Sequence, residues 1–157
     1  MSKSWEQTYF DMIEALRGKS KDPSSQFASL IVGTNHEIRS TGFNGFPRGV
    51  KDSPERYANR EIKYKLVVHA EQNAILNAAR VGIPLDGCIL YVDSYPCSNC
   101  AKSIIQAGIV EVVLNGDSVI HNDEGFKSRW KDEIDTALGM FEEAGVKIRI
   151  FKKETNG

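Results

Sequence analysis

Two short motifs combine residue types that bind transition metals. They are His69-Ala70-Glu71 and Pro96-Cys97-Ser98-Asn99-Cys100. Two cysteines separated by two residues at a helix start can aim both sulfurs at one point, and the helix N-terminus lowers the pKa of the thiols. One imidazole and two thiolates suit zinc, and three protein ligands leave a fourth position for water. The spacing therefore predicts a catalytic zinc site formed by His69, Cys97 and Cys100.

Glu71 follows the predicted histidine ligand by two residues and would lie beside that water. Zinc lowers the pKa of a bound water toward neutrality, so a neighbouring carboxylate can accept the proton and pass it to a substrate. We therefore predict that Glu71 transfers protons.

Other interpretations of the two motifs stay open at this point. His69 taken alone is more often a buried histidine of the core. Cys97 and Cys100 match a thioredoxin-like redox pair near a βαβ pattern, although such a pair has no use for His69 and Glu71. Outside enzymes, the same ligands could stabilise a binding module without turnover.

The remaining cysteine and histidines receive no chemical role. Cys88 lies in an apolar run and is predicted to be a buried strand residue. His36 falls in a turn and His121 in a polar loop, so solvation is expected for both rather than metal binding.

Length and charge limit the classes of function. The chain has 157 residues, of which 41% are hydrophobic, and its net charge is −1. One domain spanning residues 1–157 is expected, with no membrane span and no surface for non-specific binding of nucleic acid. The acidic residues within Met1–Arg17 suit no signal or transit peptide. We expect a cytoplasmic protein.

Apolar periodicity predicts the elements that would position the motifs. The expected helices are Ser4–Leu16, His69–Arg80, Cys97–Ala107 and Asp132–Ala144. The expected strands are Phe27–Val32, Ile38–Phe43, Gly87–Val92, Val110–Asn115 and Val146–Phe151, and Thr41–Lys65 is expected to be a long loop. This order predicts an α/β fold with three α-β-α layers, a five-stranded mixed sheet and parallel last two strands.

A His-x-Glu motif followed later in the chain by a Pro-Cys-x-x-Cys motif is typical of zinc nucleobase deaminases. Further similarity lies in Gly42–Gly49, at Asp52, in Tyr64–Ile75 and in Tyr95–Ile109. Over roughly residues 27 to 151, the chain resembles the deoxycytidylate deaminases of the zinc-dependent cytidine and deoxycytidylate deaminase family. The resemblance implies a cytidine deaminase-like fold.

The resemblance also implies an activity and its regulation. Expected are hydrolysis of dCMP to dUMP and ammonia, one Zn²⁺ per subunit, a homo-oligomer (commonly a hexamer), activation by dCTP and inhibition by dTTP. Mg²⁺ could accompany a triphosphate effector. The alternative substrates are dCTP, cytidine, guanine and tRNA adenosine. Because residues 50–68 contain neither Cys nor His, a second, structural zinc is not expected.

The family pattern assigns the substrate side of the site as well. Asn44 matches the loop residue that holds the nucleoside sugar, and Gly42 and Gly45 would let that loop approach closely. Ala70 is expected to contact substrate. Tyr95 is placed either against the base ring or in the core.

A 5′-phosphate requires positive charge, and the loop after Asn44 contains Arg48, Lys51 and Arg60. Arg48 is the first candidate because a guanidinium binds phosphate bidentately, although a solvated loop charge is the alternative. Arg80, at the end of a polar stripe that includes Asn73 and Asn77, is predicted to contact a nucleotide or a neighbouring subunit, or else solvent.

Overall fold

The computed structural model describes residues 2–118 and 124–153, so His121 lies outside the described residues. The helices are α1 (Trp5–Arg17), α2 (Pro54–Ala58), α3 (Arg60–Leu66), α4 (Ala70–Val81), α5 (Ser98–Gln106) and α6 (Glu124–Ala144). The strands are β1 (Ala28–Val32), β2 (Ile38–Phe43), β3 (Ile89–Val92), β4 (Glu111–Asn115) and β5 (Lys147–Phe151). Within these ranges no helix combines the length and the apolar character needed to cross a bilayer.

The strands form one mixed sheet in the order β2-β1-β3-β4-β5. β1 pairs antiparallel with both β2 and β3, whereas β3, β4 and β5 run parallel. A short turn joins β1 to β2, closed by a hydrogen bond from Gly33 N to Glu37 O (2.8 Å). The helices α5 and α6 supply the crossovers that parallel neighbours require. The predicted five-stranded sheet and its parallel last two strands are confirmed.

Alternating side chains give the sheet two buried faces. On one face, α1 packs through Tyr9, Phe10 and Ile13 against the inward residues of the central strands. On the other, α4, α5 and α6 cover a larger cluster that includes Leu90 and Phe141. The expected three-layer arrangement is therefore confirmed.

The prediction of one long loop over Thr41–Lys65 was wrong, because this segment contains α2 and most of α3. Both helices have N-caps, Ser53 and Asn59, which accept hydrogen bonds from backbone amides of the first turn. They are too short to show a clear apolar stripe, and they are held by tertiary contacts. Phe46 stacks on Tyr57 with ring centroids 4.2 Å apart.

Helix α6 also begins earlier than expected, at Glu124 instead of Asp132. Glu124, Gly125, Ser128 and Arg129 are exposed, but Trp130 is half-buried and lies four residues before Ile134, so the apolar spacing extends further towards the N-terminus than the prediction took it.

The start of α4 lies unusually close to β2 and β1. Ser29 Oγ donates to Ala70 O (2.8 Å) and Ser40 Oγ to Ala74 O (2.6 Å). A Cβ added at Gly42 would lie 2.4 Å from Ala74 N and 2.5 Å from Ala70 O. Glycine is required at this position because the helix backbone occupies the space that a side chain would need.

We expect Gly42→Ala to lower the free energy of unfolding by about 1–3 kcal/mol, since β2 or α4 must move to admit the methyl group. Gly45→Ala is the matched control, because its Cβ would meet only Tyr57 Oη at 3.8 Å. That variant should change the free energy by no more than about 0.5 kcal/mol. Denaturant unfolding measures both, and equal effects of the two substitutions would contradict the close-approach argument.

Candidate active site

Three potential metal ligands converge where α4 and α5 begin. His69 is the N-cap of α4 and Cys97 is the N-cap of α5, with Cys100 one turn into α5. His69 Nδ1 lies 3.4 Å from the Sγ atoms of both Cys97 and Cys100. All three donor atoms lie within 4.8 Å of one another. The sequence-predicted ligand set is thus brought together by the fold.

The chemistry of this donor set fits zinc. One imidazole nitrogen and two sulfurs are ligands that tetrahedral zinc takes in proteins, and the three donors leave room for one more. Both cysteines are free, and both sulfurs lie against the His69 ring. His69, Cys97 and Cys100 are therefore the residues that could hold the metal.

Hydrogen bonds stabilise the thiolate form of Cys97. The thiol of Cys100 donates toward Cys97, and this contact, with help from His69, holds the pKa of Cys97 well below its ordinary value. The amide of Cys100 also lies 3.5 Å from Cys97 Sγ. The hydrogen bond between His69 and Cys97 also raises the pKa of His69. A thiolate is the form that binds metal.

Glu71 is buried beside the three donors, with 5% of its surface exposed. Burial raises the pKa of its carboxyl above the ordinary value, and Cys100 contributes a hydrogen bond. A buried carboxyl with a raised pKa is suited to accepting and returning protons.

Asp93 supports the segment between β3 and the cysteines, and sequence reasoning missed it. Its Oδ1 accepts a hydrogen bond from Ala28 N (3.2 Å), and its Oδ2 lies 3.7 Å from Arg17 Nε, beyond hydrogen-bonding distance. Burial raises the pKa of Asp93 to about 7. An aspartate directly after a buried apolar strand was a signal that could have identified it.

A buried ion pair holds the segment that precedes His69. Lys63 Nζ on α3 lies 2.8 Å from Asp22 Oδ2, and only 1% of the Asp22 side chain is exposed. Asp22 Oδ1 also accepts from the amides of Ser24 and Ser25. The pair ties α3 to the loop before β1. The two residues are 41 positions apart, and nothing local in the sequence indicates their contact.

Asn44 lies against this same loop. Its Nδ2 donates to Ser25 O (2.7 Å), and its Oδ1 accepts from Phe27 N (2.9 Å). The side chain is almost completely buried. Ala70 is also buried, and Tyr95 is half-buried against the core cluster beneath α5 and α6.

Arg48, the first candidate for binding a phosphate, contacts α4 beyond the three donors. Arg48 Nη2 donates to Asn77 Oδ1 (2.7 Å), and Asn77 is eight residues beyond His69, about 12 Å along α4. Arg48, Asn77 and Arg80 line an open cavity of about 470 Å³. Lys51, which precedes α2, and Arg60, the first residue of α3, are both exposed.

Two side chains of the polar stripe on α4 form hydrogen bonds within the fold. Asn73 Nδ2 donates to Phe43 O (2.8 Å) and Asn77 Nδ2 to Thr41 O (2.8 Å), so both amides bind β2. Arg80 is exposed.

The residues without a predicted role occupy other environments. Cys88 is buried, as expected. His36 is exposed, yet its ring stacks on Trp5 with centroids 4.6 Å apart, and its Nδ1 lies 2.9 Å from Tyr9 Oη.

An α-β-α sandwich in which a histidine, two cysteines and a buried glutamate meet at adjacent helix starts defines the class of zinc-dependent nucleobase deaminases. A family model described as the cytidine and deoxycytidylate deaminase zinc-binding region matches residues 3–115. The chain belongs to this family and is a deaminase, as the resemblance predicted.

Individual relatives agree with this assignment. A protein of Aliivibrio fischeri, named as an uncharacterized deaminase in the luxG 3′ region, is 43% identical over 148 residues, which cover 94% of each chain. Deoxycytidylate deaminase of Homo sapiens is 39% identical over 138 residues, covering 85% of this chain and 71% of the human protein. The dCMP deaminase of cyanophage S-TIM5, solved with dCMP and dUMP, confirms the fold at a TM-score of 0.71 and 23% identity, covering 96% of this chain and 99% of the phage chain.

We expect Asp93→Asn to remove a pH dependence of stability. The pKa of Asp93 rises from 3.8 to about 7 on folding, so the folded state binds this proton more tightly. The stability linked to that proton is present below about pH 4 and is lost as the pH rises through about 7. The melting temperature of the variant relative to the parent protein should therefore increase between about pH 5 and about pH 8. A difference that stays constant over this range would contradict the assignment.

Proposed function

We propose that this deaminase hydrolyses dCMP to dUMP and ammonia. The observation that carries the proposal is the buried Glu71 carboxylate beside the three converging donors of His69, Cys97 and Cys100. The choice of dCMP is supported by the deoxycytidylate deaminases of mouse and human, which are 41% and 39% identical to this chain. Because the chain covers 71% of each of these relatives, the likeness includes most of their length.

His69, Cys97 and Cys100 would hold one Zn²⁺, which supplies a water of lowered pKa as the nucleophile. Glu71 accepts a proton from the attacking water and donates it to N3 of the pyrimidine. The same carboxylate then takes the remaining water proton from the new C4 hydroxyl and delivers it to the departing amino group, so that C4=O forms, the C4–N bond breaks and ammonia leaves. Burial of Glu71 excludes competing solvent protons from these transfers.

Asn44 is proposed to bind the deoxyribose. A side-chain amide has two N–H donors and an oxygen with two lone pairs. Among the described residues, one donor bonds Ser25 O and one lone pair bonds Phe27 N, which leaves a donor and an acceptor for a sugar hydroxyl. These two bonds also fix the orientation of the amide before substrate binds. Ala70 and Tyr95 are proposed to contact the base.

Regulation by dCTP as activator and dTTP as inhibitor is the second part of the proposal. The cavity lined by Arg48, Asn77 and Arg80 has two guanidinium groups and lies well along α4 from the donors. Two cations at one cavity suit a triphosphate. The assignment of Arg48 to the substrate phosphate stays a prediction, and its place beside Asn77 favours the effector.

A homohexamer in the cytoplasm completes the proposal. Leu76 and Val81 on α4 are 51% and 69% exposed, and a contact between subunits at this helix would bury apolar surface.

Glu71→Gln should retain about one zinc per chain and lower kcat for dCMP by at least about 100-fold, because the amide cannot transfer protons. Ammonia release and metal analysis test this, with Glu61→Gln on the exposed surface of α3 as the control. Turnover of dCMP by Glu71→Gln at the parent rate would contradict the role of Glu71. Ammonia release from cytidine or dCTP at the dCMP rate would contradict the substrate.

Arg48→Gln and Arg80→Gln should each raise the dCTP concentration needed for half-maximal activation by about 10-fold, as expected for the loss of a charge-assisted hydrogen bond. Lys19→Gln, at an exposed site outside the cavity, is the matched control. Activation curves at constant dCMP measure the effect. A raised KM for dCMP without effector in Arg48→Gln would instead assign Arg48 to the substrate phosphate.

A further inference from the structure

Glu133 on α6 reaches the first turn of the helix that carries both cysteines. Its Oε2 accepts hydrogen bonds from the backbone amide of Ser98 (2.9 Å) and from the Ser98 hydroxyl (2.5 Å). Ser98 lies between the two cysteine ligands, directly after Cys97. Glu133 and Ser98 are 35 residues apart in sequence. We propose that Glu133 is a positioning residue of the zinc site, which holds Cys97 and Cys100 in ligating geometry through Ser98.

The hydrogen-bonding requirements of the α5 N-terminus support this role. The first amides of a helix have no partner within the helix and need an external acceptor. In α5, Cys97 Sγ serves the amide of Cys100, and Glu133 serves the amide of Ser98. Cys97 Sγ, one of the proposed metal donors, therefore also caps the start of α5. With Ser98 held from outside, the backbone between the two ligands keeps its conformation, and neither sulfur has to be repositioned when the metal binds.

The negative charge of Glu133 also favours metal binding at the three donors. The two hydrogen bonds from Ser98 hold the pKa of Glu133 below its ordinary value, so the group is an anion at neutral pH. Because Ser98 directly follows Cys97, this charge lies close to the donor atoms. A fixed anion near two sulfurs and an imidazole favours a divalent cation over an empty site. Outer partners of metal ligands commonly change metal affinity by about 10–100-fold.

The inference rests on the proposed zinc site, and it does not depend on which nucleotide is the substrate. The test is therefore zinc affinity, measured on the full chain by competition with a fluorescent chelator at neutral pH. Glu133→Ala removes both hydrogen bonds and the charge. Glu133→Gln keeps one accepting oxygen and loses the charge. Glu142→Ala and Glu142→Gln, at an exposed position in the last part of α6, are the matched controls.

We expect Glu133→Ala to weaken zinc binding by about 10–100-fold, Glu133→Gln to give an intermediate loss, and both Glu142 variants to bind as the parent protein does. Thermal unfolding of each zinc-free protein separates this from a purely structural role. A lowered melting temperature with parent zinc affinity would overturn the inference, as would parent values of both quantities. If Glu133→Ala does not fold, the Gln variant decides by the same criteria. A parent protein that binds no zinc would overturn the zinc site itself, whereas parent zinc binding with unaffected Glu133 variants overturns only the role of Glu133.

Discussion

The approach of two helix N-termini is the constraint on which the rest of the structure depends. His69 occupies the N-cap position of α4 and Cys97 that of α5, and their donor atoms meet only because α4 and α5 pack side by side on one face of the sheet. That packing brings α4 so close to β2 that Gly42 has no room for a side chain. The backbone of α4 thus both packs against β2 and positions His69 and Glu71. A shift of α4 that relieved the crowding at Gly42 would also move these two residues relative to the cysteines.

The surrounding contacts hold the main chain next to the converging donors in place. Asp22 and Lys63 anchor the segment that leads into His69, Asp93 anchors the end of β3 that leads to Cys97, and Glu133 holds the first turn of α5. The three acids come from different elements, and each accepts hydrogen bonds from backbone amides. Such bonds constrain the main chain on both sides of the ligands, so the site is largely formed before a metal arrives.

The convergence of His69, Cys97 and Cys100 beside Glu71 could be predicted because these residue types occur at short, characteristic spacings. His69 with Glu71, and Cys97 with Cys100, lie within one helical turn of each other. The sheet could be predicted from periodicity and from the helices between its later strands. The contact of Glu133 with Ser98 and the contact of Asp22 with Lys63 could not be predicted. The partners lie 35 and 41 residues apart, and they meet only through tertiary packing. The hydrogen bond between Arg48 and Asn77 could not be predicted for the same reason, because the two residues lie 29 positions apart.

The central claim is that His69, Cys97 and Cys100 bind one zinc ion together. X-ray absorption spectroscopy at the zinc edge of the purified protein tests it most directly. The account predicts one zinc per chain with two sulfur neighbours at about 2.3 Å and nitrogen or oxygen neighbours at about 2.0 Å. A spectrum with fewer than two sulfur neighbours, or a protein without zinc in which Cys97 and Cys100 form a disulfide, would contradict it.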